Sequence, residues 1–132
     1  MQTILMFTVV VHVLSGTFWA GSTFVLARIG GAGAGQLARP QLGAAAFAVL
    51  TGAILWSLMH AHSFQPQELI LASGACSAII AVGIQGASAA RMKLAHANAI
   101  SSPALGSVAV NQRIAAALLA VTVICMASAR YV

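Results

Sequence analysis

The sequence predicts an all-α integral membrane protein, a four-transmembrane-helix bundle with both termini on the outer side (N-out/C-out). Three observations predict it. The chain has 132 residues, of which 61% are hydrophobic and only 5% charged, whereas soluble globular proteins carry about 25% charged residues. Four segments are each long and apolar enough to cross a bilayer, which takes about 20 residues of helix. The basic residues are also distributed unevenly between the loops. Residues 1–132 therefore read as one transmembrane domain, with spans at about 4–26, 42–61, 68–90 and 107–129.

The first span, Ile4 to Leu26, has His12 as its only strongly polar residue. It is long for a signal-peptide core and has no basic segment before it, so it reads as retained. The run Gly30-Gly31-Ala32-Gly33-Ala34-Gly35 reads as a flexible, helix-breaking linker. Pro40 fits the first turn of the second helix, whose apolar core runs from Leu42 to Met59. Pro66 fits the first turn of the third, with Glu68 near the positive end of the helix dipole. Ser101-Ser102-Pro103 marks a start for the fourth. Period-2 alternation is absent and alanine abundant, which favours helices over a β-barrel.

Arg28 and Arg39 flank the first loop, and Arg91, Lys93 and Arg113 flank the third, while only Arg130 lies on the other side. Loops one and three are then cytoplasmic and the termini extracytoplasmic. The expected location is a bacterial inner (cytoplasmic) membrane, crossed several times, with the lipid bilayer as the first partner.

Composition excludes several function classes. Seven charged side chains cannot solvate a 132-residue globule, and a disordered chain needs low hydrophobicity and high charge. The net charge of +5 comes from a single acid, Glu68, against only six bases and not from a Lys/Arg-rich stretch, so no nucleic-acid partner is expected. Two cysteines are too few for a disulfide scaffold. The cores of the spans lack Asp and Glu, which removes carboxylate acid–base chemistry and di-metal carboxylate sites.

The histidines are the candidate functional residues. A histidine well inside a span is expensive and marks a functional site by default. His12 lies roughly 21 Å from the Leu26 edge and His60 roughly 27 Å from the Leu42 edge, at 1.5 Å per residue. Both fall in the outer half, close enough in depth for helix tilt to absorb much of the difference. They are the two candidate ligands of a haem or metal held between helices one and two. The competing explanations are an interhelical hydrogen bond for His12 and interfacial solvation for His60 and His62. His96, in a cytoplasmic loop, reads as solvated.

His12, Gly16, Trp19 and Thr23 fall on one helical face, and Gly52, Trp56, Met59 and His60 repeat the pattern on helix two. Small residues make room for a ring and aromatic rings line its faces, so Gly16, Trp19 and Trp56 join His12 and His60 as cofactor-binding candidates. Ordinary packing of small residues and tryptophans explains the same stripes. For copper the candidate ligands are His12, Met59, His60 and His62, since thioether with imidazole suits Cu(I). Met6, Cys76, Cys125 and Met126 also map to the outer half, where they equally serve as apolar packing residues.

The string His12-Val-Leu-Ser-Gly16-Thr-Phe-Trp19-Ala-Gly21, followed by Arg28, resembles the first helix of the copper-resistance D family and related small four-helix membrane proteins. HemJ-type protoporphyrinogen oxidases carry a similar first-helix histidine. The third span ending in Ala-Ala-Arg91-Met-Lys93, then Ser-Pro103-Ala-Leu, is similar to the copper-resistance D pattern too. The resemblance implies a helical bundle, copper passage or b-type haem binding, and His12 as the matched ligand. Helix two, Leu42 to Met59, has no Lys or Arg where a HemJ-type enzyme carries a basic residue, which argues against protoporphyrinogen oxidation.

The expected function is membrane-embedded electron transfer through haem b, with a quinone or a larger membrane redox complex as partner. Copper binding or passage is one alternative. A small non-catalytic subunit, or a homo-oligomer, packed through Ala/Gly surfaces is the other.

Overall fold

The computed structural model describes residues 2–59, 66–98 and 105–131. Its elements are α1 (Gln2–Arg28), α2 (Ala34–Met59), α3 (Pro66–Ala97) and α4 (Leu105–Ser128), followed by a 3₁₀ turn, Ala129–Tyr131. There is no strand among the described residues. All four helices are long and apolar enough to cross a membrane.

Helix is the one spanning structure that lets an apolar segment satisfy every backbone group internally. The hydroxyls follow the same logic. Thr8, Ser15, Thr51, Ser77 and Ser88 each donate to the carbonyl four residues back. A serine or threonine can thus sit in an apolar helix without an orphaned donor.

Three boundaries show how local chemistry sets the helix ends. Pro66 opens α3, and Glu68 lies in its first turn, as the sequence suggests. Pro40 does not open α2. The helix begins at Ala34, eight residues before the expected Leu42, and carries Pro40 inside it. The start is set instead by Gly33, whose carbonyl accepts from Gln36 and Leu37. The glycine run is a packed turn, not a flexible linker. The Gly31 N–H donates to Leu26 O at 2.8 Å and Gly30 has φ +68°, the six-to-one closure of a helix C-terminus that favours glycine. A Cβ on Gly31 would lie 3.1 Å from Val108 Cγ1, so this turn seats directly on α4. The Ser101–Pro103 start signal lies outside the described residues.

Cross-helix contacts fix the topology. His12 meets Ala48 and Thr23 meets Gln41, so α1 and α2 are antiparallel. Thr122 meets Gly74 and Asn111 meets Ser88, so α3 and α4 are antiparallel. The turn after α1 touches the start of α4. The helices therefore run up, down, up, down around a square, with α1 packed on α2 and α4, and α3 on α2 and α4. Gln2 and Tyr131 lie at one end, the terminal end. The turn after α1 and the start of α4 mark the other, the basic end.

Residue size is distributed in reverse of a water-soluble bundle. The core holds Trp19, Leu119 and the alanines 45, 48, 78, 81 and 115, whereas Phe7, Phe18, Phe24, Phe47, Leu50, Ile54, Ile79 and Ile80 point outward. Lipid tails are as apolar as leucine, so burying large side chains gains nothing there. Close backbone approach between small residues holds such helices together. At Gly74 a Cβ would come 3.0 Å from Cys125 Cβ, so the α3–α4 seam is closely packed there.

Candidate functional site: an oriented histidine above a buried polar layer

His12 lies on the inward face of α1, half-buried against α2. Its Nδ1 is 2.9 Å from Ala48 O and 3.1 Å from Thr51 Oγ1. A carbonyl only accepts, so Nδ1 carries the proton and donates to Ala48. Thr51 reinforces the assignment. Its own hydrogen goes to Phe47 O at 2.6 Å, which leaves its oxygen as a second acceptor facing Nδ1. A neutral imidazole protonated at Nδ1 carries a lone pair at Nε2. Nε2 has no hydrogen-bond partner among the described residues. Gly52 makes the approach possible, because a Cβ there would sit 3.1 Å from His12 Cε1.

The glycine and tryptophan stripes divide on inspection. Gly16, one turn below His12, would meet nothing within 4 Å if given a Cβ. Trp19 shares that face but fills the bundle core at 3% exposure. Its indole N–H donates to Gln85 Oε1 at 2.7 Å. Trp56 is half-buried on α2. Met59 is 61% exposed and lies eight residues beyond Thr51, about 12 Å along α2. His60 and His62 lie outside the described residues, as does the side chain of His96. Cys76 and Cys125 are free thiols, and Met6 and Met126 are exposed. Among the described residues, no three His, Cys, Asp or Glu side chains converge as a metal site would require.

Toward the basic end lies a polar layer drawn from all four helices. Thr23 Oγ1 accepts from Gln41 Nε2 at 2.8 Å and Gln85 Nε2 at 2.9 Å, and donates to Trp19 O at 2.7 Å. Gln85 Nε2 also reaches Gln112 Oε1 at 3.3 Å. All are buried, with Thr23 at 0%, Gln41 at 2%, Gln85 at 3% and Gln112 at 5% exposure. The alanine core closes the layer on one side. On the other it is closed by Leu26, Ala34 and Val108. The layer is uncharged and internally bonded, which suits a clamp between helices and not a proton-transfer site.

Of this layer the sequence reading reached Trp19 and Thr23, through their shared stripe with His12. Gln41, Gln85 and Gln112 were missed. The usable signal was Gln41, Gln85 and Gln112 within apolar helices, where an unpaired side-chain amide is costly. Gln41 escaped because the second span was begun at Leu42. No protein-family model, curated protein or solved structure matches the chain.

Proposed function

We propose that this chain is a membrane-embedded redox protein in which His12 would hold the iron of a b-type haem through Nε2. One observation carries the reading. The ring is fixed through Nδ1–H to the Ala48 carbonyl while Nε2 keeps its lone pair, the outer-shell arrangement that orients ligating histidines and raises their basicity. The open space at Gly16 is consistent with a bulky group beside the ring. Bound haem would supply one-electron chemistry. Within this chain, Ala48 and Thr51 hold the imidazole in one tautomer and Gly52 sets its distance from α2. His60 is the candidate second ligand.

The resemblance to the copper-resistance D family supports the same residue. Copper binding finds less support in the described residues, since the Met59 thioether is 61% exposed and no three His, Cys, Asp or Glu side chains converge there. The uneven distribution of the bases supports an orientation with the basic end cytoplasmic, the termini outside and His12 in the outer half of a bacterial inner membrane.

The test is the reduced-minus-oxidised spectrum of the detergent-purified protein. A Soret band with resolved α and β bands is expected, lost in His12→Ala while the protein still inserts. A colourless wild type, or full haem content in His12→Ala, would sink the reading. Its place would then go to a small non-catalytic subunit of a larger membrane complex.

A further inference from the structure

Five basic residues gather at one end of the bundle: Arg28 at the close of α1, Arg39 on α2, Arg91 and Lys93 on α3, and Arg113 on α4. All five are exposed. The single acidic side chain of the protein, Glu68, is buried at the opposite end in the first turn of α3. The basic end therefore has no internal carboxylate to neutralise it.

Arg113 is the informative member. Its neighbour Gln112 points into the buried polar layer, and Arg113 points away from the core. Contacts across the seams give its depth. Asn111 pairs with Ser88, so Arg113 lies about 7 Å further from the basic end than Arg91, by the helix rise. Leu26 packs with Val108, which puts Arg113 about 10 Å further in than Arg28. Its flanks are apolar, with Val110 and Ile114 both exposed. Arg113 has no hydrogen bond or ion pair among the described residues. A guanidinium at that depth runs its stem along the apolar surface and turns its head toward the interface. Helix side chains lean toward the N-terminus, which for α4 is the basic end, so the stem is directed toward the level of Arg28 and Arg91.

We propose that the basic end binds the headgroup phosphate of an anionic phospholipid, with Arg113 as the principal contact and Arg28 and Arg91 completing the charge. The planar guanidinium fork matches phosphate oxygens in a way an ammonium does not. Anionic lipids are the acidic species present all around a helix at this depth, and each nearby base contributes roughly a fivefold gain in association. This assignment stands independently of the haem reading.

Native mass spectrometry of the whole chain released from detergent tests it, with phosphatidylglycerol or phosphatidylcholine added as the probe. Phosphatidylglycerol should be retained in preference to phosphatidylcholine. Added salt should weaken that preference. Arg113→Gln should reduce phosphatidylglycerol retention about fivefold, Arg113→Lys by less, and Arg130→Gln at the opposite end should leave it unchanged. If Arg113→Gln does not fold, the paired variant Arg28→Gln/Arg91→Gln carries the same expectation. Equal retention of the two lipids overturns the proposal. So does an Arg113→Gln variant indistinguishable from Arg130→Gln. Loss of a co-purifying acidic protein in place of lipid would assign the surface to a protein partner and overturn it likewise.

Discussion

Replacing Gln85 with leucine removes the central member of the buried polar layer at nearly constant side-chain size. Three hydrogen bonds go with it: from Trp19 at 2.7 Å, to Thr23 at 2.9 Å and a longer one to Gln112 at 3.3 Å. Interhelical hydrogen bonds in membrane bundles average about 0.6 kcal/mol each, so two good bonds and one long one amount to roughly 1–2 kcal/mol. The Trp19 indole N–H is then left in the core without an acceptor, which adds about 1–3 kcal/mol. Gln85→Leu should therefore destabilise the bundle by about 2–5 kcal/mol. Gln41→Leu breaks one bond, to Thr23, and should cost only about 0.6 kcal/mol. The assay is denaturant unfolding in mixed micelles, followed by tryptophan fluorescence. The double variant Trp19→Phe/Gln85→Leu removes the orphaned donor, so its loss should be smaller than the sum of the single losses. A Gln85→Leu loss equal to that of Gln41→Leu, or strict additivity in the cycle, would refute the view that Gln85 joins the helices through Trp19.

Two further outcomes are expected. Nitrogen NMR of ¹⁵N-histidine-labelled, haem-free protein near neutral pH should show His12 protonated at Nδ1 and bare at Nε2; the opposite tautomer would remove the Ala48 hydrogen bond and the free lone pair with it. Fusions at the C-terminus should be active with an extracytoplasmic reporter and silent with a cytoplasmic one, and the reverse result would move the His12 site to the inner half of the membrane.

Much of the architecture is legible in composition and spacing. An apolar segment of some twenty residues has one way to satisfy its backbone in lipid, so four such segments mean four helices. Pro66 marks the start of α3 because a missing N–H costs nothing in a first turn. The same rule misplaced the start of α2. Gly33 and the packed Gly31 set that boundary, and the contact between Gly31 and Val108 is more than seventy residues apart in sequence. A glycine run written in one line gives no sign of whether it will be loose or wedged against another helix.

The candidate site divides along the same line. A lone imidazole inside an apolar span has to find a partner, and that requirement singles out His12 from the sequence. Which nitrogen finds the partner, and which is left free, depends on where the Ala48 carbonyl lies, and backbone atoms carry no side-chain signature. Trp19 belongs to the ring-lining stripe by helical period alone. Gln85, on a helix distant in sequence, draws its N–H into the core. The shared stripe of His12, Gly16 and Trp19 fixes a common face, since 3.6 residues per turn leave no choice. What lies opposite that face is decided by the packing of four helices, because the polar layer exists only when Gln41, Gln85 and Gln112 arrive together at Thr23.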